Sequence, residues 1–275
     1  MDFKGKTALV TGSSGGIGKA LAIALAKEGA DVVLASRNVS KLEEVKKEIE
    51  ALGRKAAAIP CDTSVDESVA TMKDKALKAF SNIDVLINNA GVGIRGSLED
   101  TSLDDWRFII NTNLMGYIRV VHAFLSHFLK RGSGYIVNVS SIQAMAYGAE
   151  MLNTPYITTK AGIIGFTDCL SSVLRQKGIK VSCHVPGGVT TDIAAHSRYV
   201  GSEERKKELK DRDTAGTKMP NFLTAEECAT QVLEGMKRED YIILTPATLT
   251  QMLKPQGRDI DVYNAFVKQP LKPRP

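Results

Sequence analysis

The sequence predicts an α/β fold, a doubly wound three-layer αβα sandwich on a mostly parallel sheet, and three observations carry that expectation. Short apolar runs bounded by glycine or polar residues alternate with longer amphipathic runs along most of the chain, the pattern of repeated βα units. The first short run ends at Val10 and is followed by the glycine-rich turn Thr11-Gly12-Ser13-Ser14-Gly15-Gly16-Ile17-Gly18 and an apolar helical stretch. A strand, a glycine turn and a helix start are the parts of a βαβ unit in which backbone N–H groups and the helix dipole hold a pyrophosphate. Finally, Tyr156 and Lys160 open a helix-like run through Ala161, Ile163, Ile164, Phe166 and Leu170, so the phenol and the ammonium share one helix face.

In chain order, strands are expected at Thr7 to Val10, Asp31 to Ala35, Ala56 to Ile59, Asp84 to Asn88, Tyr135 to Val139 and Lys180 to Val185. Helical patterns lie between them. Leu42, Val45, Ile49 and Leu52 keep helical spacing, and Ser40 with Glu43 reads as the capping box that starts that helix. Ser64 with Glu67 and Thr224 with Glu227 read the same way. Crossovers between parallel strands are right-handed, which puts helices on both faces of the sheet. Residues 1–250 read as a single domain and 251–275 as a C-terminal tail, where Pro255, Pro270, Pro273 and Pro275 argue against a continuous helix.

Composition narrows the class of function. A chain of 275 residues with 43% apolar and 24% charged residues is an ordinary globular protein with a substantial core. Its net charge of +5 comes largely from the tail and from Arg205-Lys206-Lys207-Glu208-Leu209-Lys210. No aromatic residues interleave with those charges, so they read as a solvated helix face rather than a nucleic-acid surface. Cys61, Cys169, Cys183 and Cys228, like the histidines, lack metal-ligand or paired spacing, so no metal and a reducing, cytoplasmic setting are expected. No signal-like segment follows Met1, and no apolar run reaches the roughly 18 residues of a membrane span.

The glycines have separate uses. Gly12 lets the chain turn off the strand, Gly16 lets backbone approach phosphate, and Gly18 lets the helix pack closely on the sheet. The spacing Gly-x-x-x-Gly-x-Gly differs from the common Gly-x-Gly-x-x-Gly, and a glycine loop alone would also suit a methyltransferase. After the second strand comes Ser36-Arg37-Asn38, with no carboxylate for the ribose hydroxyls of NAD but with an arginine that suits the 2′-phosphate of NADP. Asp31 begins that strand and lies too far away to substitute. A phenol of ordinary pKa, about 10, is a poor base at neutral pH, and a fixed cation one helical turn away favours the phenolate.

The ordered set of the glycine turn, Asn88-Asn89-Ala90-Gly91, Asn113, Ser140-Ser141, Tyr156-Ile157-Thr158-Thr159-Lys160 and Pro186-Gly187 closely resembles the short-chain dehydrogenase/reductase family over roughly residues 3 to 245. The resemblance implies a seven-stranded Rossmann sheet and a catalytic set of Asn113, Ser141, Tyr156 and Lys160. Asn113 would hold a water that connects Lys160 to solvent. Ser141 stands fifteen positions before Tyr156, two more than usual in the family, which leaves Ser140 as the other choice. For the cofactor it implies Gly12, Ser14, Gly15 and Ile17 at the pyrophosphate, Ser36, Arg37 and Asn38 at the adenosine ribose, and Asp62 and Thr63 at the adenine. Asp62 reads equally well as a turn residue, and Asn89, Ala90 and Gly91 as backbone support or ribose contact. Tyr156 and Lys160 would bond the nicotinamide ribose, and Pro186, Gly187, Val189 and Thr191 would fix the carboxamide and pyrophosphate.

The extra residues between Ser141 and Tyr156 fall in an apolar stretch with Met145, Tyr147, Met151 and Leu152. Met145, Tyr147 and Gly188, with Ser141 and Tyr156, are expected at the substrate, although core packing would explain the apolar positions too. Residues 192–222 are irregular and polar and read as a substrate lid or an idle loop. The expected function is NADP(H)-dependent interconversion of a secondary alcohol and a ketone on a hydrophobic small molecule, in a homodimer or homotetramer. An enoyl reductase and a catalytically silent NADP-binding regulator are the alternatives.

Overall fold

Strand side chains alternate between the two faces of the sheet, and helices with one apolar stripe cover each face, so the side chains sort into two main cores. The computed structural model describes residues 1–146, 151–216, 222–254 and 259–268. Its central strands are β1 (Thr7–Thr11), β2 (Asp31–Ser36), β3 (Ala56–Pro60), β4 (Val85–Asn88), β6 (Gly134–Val139), β7 (Ile179–Pro186) and β9 (Ile242–Thr245). They form one seven-stranded sheet in the order β3-β2-β1-β4-β6-β7-β9, with every pairing parallel. The family sheet expected from the sequence is therefore present. Alternate residues point to opposite faces. Ala8, Val10, Val32, Leu34, Val85 and Ile87 pack with α1 (Gly16–Lys27), α2 (Val39–Ala51) and α8 (Ala225–Arg238). Leu9, Val33, Leu86 and Ile136 pack on the other face with α3 (Asp66–Phe80), α5 (Gly116–Arg131) and α6 (Thr154–Leu174).

The chain runs outward from β1 to β3, then returns to place β4 beside β1 and runs outward the other way. That reversal opens a crevice at the carboxyl ends of β1 and β4, where open α/β sheets bind ligands. The Thr11 hydroxyl bridges it by accepting from Asn89 N–H at 3.0 Å and Ala90 N–H at 3.1 Å.

Two of the three capping boxes read from sequence are replaced. In α2 the cap is Asn38, whose Oδ1 accepts from Lys41 N–H at 3.1 Å and from the Ser40 hydroxyl at 2.9 Å. Asn38 is a good cap two residues earlier, so the helix is already under way at Ser40. Before α3, Ser64 turns back instead, its N–H and hydroxyl donating to Asp62 Oδ1 at 2.9 and 2.6 Å. The Thr224–Glu227 box is formed in both directions.

The helical stretch Leu103–Arg131 comprises α4 (Leu103–Ile109), a π-helical turn (Ile110–Met115) and α5. By length and composition it would cross a bilayer, but Val120, Val121, Phe124 and Phe128 are buried against the sheet. A short parallel ribbon joins β5 (Ile94–Arg95) to β8 (Arg198–Tyr199), and α7 (Glu203–Gly216) follows it. In the tail, α9 (Leu249–Leu253) and α10 (Ile260–Lys268) dock on the sheet edge. Leu253 and Ile260 are buried beside Leu244, and the Asn264 amide bonds both the N–H and the C=O of Ile242, at 2.7 and 3.2 Å.

Candidate active site

A cavity of about 640 Å³ opens at the carboxyl ends of β1 to β4. Gly12, Ser14, Gly15, Gly16 and Ile17 form one wall, and α1 starts there with Gly15 as a cap that provides no side-chain bond. First-turn N–H groups without a capping side chain are donors for an anion. The close packing explains the glycines. A Cβ on Gly18 would stand 2.3 Å from the Gly12 carbonyl oxygen and 2.5 Å from Asn89 Nδ2. The Asn89 amide is itself committed to that loop, donating to the carbonyls of Thr11 at 3.1 Å and Gly12 at 3.3 Å. Gly12, at φ 67°, makes the left-handed turn that side chains resist.

At the other end, Ser36, Arg37, Asn38, Asp62 and Thr63 line the same cavity. Burial alone would raise the Asp62 carboxyl, but the Ser64 bonds and the Arg37 and Arg119 guanidiniums outweigh it and hold it below its ordinary value. Ser40, Lys41, Asp192, Ile193 and His196 also line the cavity and were missed. The signal for Ser40 and Lys41 was available, since a cap at Asn38 puts both on the first turn of α2 next to Arg37. These residues fit a dinucleotide, with glycine-loop donors for a pyrophosphate at one end of the cavity.

Of the segment after β7, Thr191 is the member among the expected residues that lines the described cavity. The Gly187 N–H is spent on the Thr245 carbonyl at 2.8 Å. Gly188 lies beneath the Phe222 ring, where a Cβ would come within 2.4 Å, and Val189 bridges Leu223. Pro186 ends β7.

Tyr156 and Lys160 lie on the first turns of α6 facing β6. Ser140 is 1% exposed and structurally committed, its hydroxyl donating to the Lys160 carbonyl at 2.7 Å and its N–H to the His184 carbonyl at 2.7 Å. Ser141 is the serine that acts on the Tyr156 phenol, pulling its value down, and its hydroxyl accepts from the Gln143 N–H at 3.3 Å. Asn113 sits in the π-helical turn, an arrangement often found at functional sites. Its Oδ1 accepts from Val92 N–H at 2.9 Å, and its Nδ2 donates to the Val92 carbonyl at 2.9 Å and the Thr159 hydroxyl at 3.2 Å. The buried amide is thereby satisfied, as an apolar surrounding requires.

The electrostatics differ from the expectation that Lys160 lowers the phenol. Burial pushes Tyr156 above its ordinary value, while the Ser141 bond and the Arg95 guanidinium pull it down. Lys160 Nζ donates to the Val139 carbonyl at 2.8 Å and lies 5.7 Å from the Tyr156 ring centroid. Burial brings Lys160 itself down to about 8. Desolvation is the largest influence on each group because both lie deep in the protein. Arg95, unforeseen in the sequence, donates to Asp213 of α7 at 3.0 Å, and the Tyr199 hydroxyl donates to the same carboxylate at 3.0 Å. Val200, next to β8, and Tyr156 both pack against the cluster of Val92, Ile94 and Ile109. Met145, expected at the substrate, is 7% exposed and packs among Val185, Leu244 and Leu253. Tyr147 and the Met151 side chain lie outside the described residues.

Residues 6–199 match the family model described as short chain dehydrogenase. The chain belongs to the short-chain dehydrogenase family. This short-chain dehydrogenase is 35% identical over 212 residues to glucose 1-dehydrogenase 2 of Bacillus subtilis (strain 168), covering 76% of this chain and 81% of that protein. Among solved structures, a short chain dehydrogenase/reductase from Burkholderia phymatum in complex with NAD is similar with a TM-score of 0.86, at 26% identity over 99% of each chain. An alcohol dehydrogenase from the archaeon Thermococcus sibiricus complexed with 5-hydroxy-NADP is similar with a TM-score of 0.72, at 26% identity over 87% of this chain and 95% of that one. The protein is therefore an oxidoreductase of this family, with its parallel seven-stranded Rossmann fold.

Proposed function

We propose that the protein is an NADP(H)-dependent oxidoreductase that interconverts a secondary alcohol and a ketone on a hydrophobic small molecule. The observation that carries this reading is the meeting of the Tyr156 phenol, the Ser141 hydroxyl and the Lys160 ammonium with Asn113, beside the glycine-loop cavity. The dinucleotide would supply or accept the hydride; the remaining chemistry belongs to the chain. A phenol held above its ordinary value by burial rests protonated, which suits it to give a proton to a carbonyl oxygen as charge develops there. Ser141 would hold that oxygen, and Lys160 would leave Val139 to bond a ribose hydroxyl. Asn113 would fix a water in contact with Lys160. Orientation supplies much of the rate, because donor and acceptor must be held in contact.

Arg37 and Lys41 at the adenosine end support NADP(H) over NAD(H). Lys41 supplies a second cation to the same cavity from the first turn of α2. The 192–222 segment is assigned as the substrate lid, on the strength of the β5–β8 ribbon and the Val200 contact. A homodimer through α5 and α6 would cover the exposed small residues Ala161, Gly165 and Cys169.

The test follows the absorbance of NADPH, with NADH in parallel, against hydrophobic ketones and matched enones. NADPH consumption with ketones supports the reading. Consumption with enones alone would assign an enoyl reductase, and tight NADPH binding with no turnover a regulator.

A further inference from the structure

Two side chains meet at one backbone oxygen beneath the reaction centre. Val139, the last residue of β6, accepts from Lys160 Nζ at 2.8 Å and from the Tyr117 hydroxyl at 3.1 Å. The same Nζ stands over the Tyr117 ring, 5.4 Å from its centroid, within the range of a cation–π contact. Tyr117 is the second residue of α5, four positions after Asn113, and is 2% exposed. Burial first, and then Tyr156 and Cys183, hold its phenol far above its ordinary value. It is a permanently neutral donor.

A carbonyl oxygen accepts two hydrogen bonds, and a buried one stripped of donors is costly. The proposed function requires Lys160 to leave Val139 for a ribose hydroxyl, and this inference rests on that reading. Once Lys160 turns away, the Tyr117 hydroxyl is the donor that still satisfies Val139. We propose that Tyr117 is a positioning residue for Lys160: its hydroxyl keeps the Val139 oxygen satisfied when the ammonium moves to the cofactor, and its ring face holds the ammonium in the buried site. A purely structural aromatic would need the ring but not the hydroxyl.

The titratable groups facing Lys160 are Tyr117 on α5, Tyr156 on α6, and Cys183 and His184 on β7. Burial, with Asp168, pushes Cys183 up to about 12. Burial, with Lys160, pushes His184 down to about 3. Tyr156 is also raised. Among these groups Lys160, at about 8, is the one that titrates in mildly alkaline solution.

The test is NADPH affinity, read by ligand fluorescence from neutral to alkaline pH, for the full chain and the variants Tyr117→Phe and Tyr117→Leu, each first shown folded by circular dichroism. Tyr117→Phe keeps the ring and loses the hydroxyl. Its affinity should fall roughly three- to tenfold at neutral pH, with the alkaline midpoint unmoved. Tyr117→Leu loses both, and its midpoint should also move down by roughly 0.5–1.5 pH units, because the charged lysine loses its ring. Variants that fold and match the unmodified protein at every pH would overturn the role of Tyr117 while leaving the proposed function standing. If the unmodified protein binds no NADPH, the proposed function falls and this inference with it. A variant that fails to fold leaves the other to decide.

Discussion

Replacing Lys160 with methionine should stabilise the protein while abolishing turnover. Lys160 is 4% exposed, and burial brings it from 10.5 to about 8. At neutral pH that displacement corresponds to about 3 kcal/mol in favour of the unfolded chain. Methionine removes that penalty and fills similar space. It also removes the bond to Val139, worth about 1 kcal/mol, although the Tyr117 hydroxyl still satisfies that oxygen. The expected net gain is about 1–2 kcal/mol, or about 2–8 °C in Tm for a chain of this size. The sign fixes the pH dependence. The folded value lies below the unfolded one, so the unfolded chain holds the extra proton between them. The penalty on the unmodified protein is full below about 8 and disappears as pH rises through 10.5. Thermal unfolding of both proteins at neutral pH and near pH 10.5 reads this directly. A Lys160→Met protein no more stable at neutral pH, or a gain that does not shrink in alkali, would refute the reasoning.

Three further outcomes are expected. Arg37→Glu with Lys41→Glu should weaken NADPH binding roughly 10- to 100-fold and leave NADH binding within a few-fold, by calorimetric titration, since each cation contributes a charge-assisted contact to a 2′-phosphate. His184 is held down to about 3 by burial and Lys160, so the unfolded chain takes up its proton first as pH falls below about 6.5 and stability drops. By pH 4 the loss should be about 2–3 kcal/mol in urea unfolding, and His184→Gln should remove most of it. Asp213→Asn removes a negative partner of Arg95 and should let the guanidinium lower the Tyr156 phenol further, moving the pH midpoint of alcohol oxidation down by up to about one unit, with a higher substrate KM as α7 loosens.

Much of this arrangement is local in sequence and was legible there. The central strands of the parallel sheet are buried on both faces, so Val32 to Ala35 or Val85 to Ile87 read as continuous apolar runs. Tyr156 and Lys160 meet because one helical turn separates them. The parts that escaped depend on distant partners. Arg95 and Asp213 are 118 positions apart, and the two-residue strands β5 and β8 are too short to carry a period. The choice between Ser140 and Ser141 depended on which hydroxyl the Lys160 carbonyl engages, a contact made across two elements. The place of Tyr117 was not legible at all, since nothing in its sequence neighbours reveals the Val139 oxygen it bonds. The capping errors have a simpler cause: several Ser and Asn residues compete near each helix start, and Asn38 prevailed over Ser40 by position.

The claim on which the account depends is that the Tyr156 hydroxyl moves the proton. The decisive measurement is the rate of NADPH oxidation by a ketone substrate for Tyr156→Phe beside the unmodified protein, with NADPH affinity determined on the same samples. The account predicts a loss of at least about a hundredfold in rate, the scale of general acid catalysis, with affinity changed by no more than a few-fold. Turnover that survives in the phenylalanine variant at unchanged affinity would contradict it.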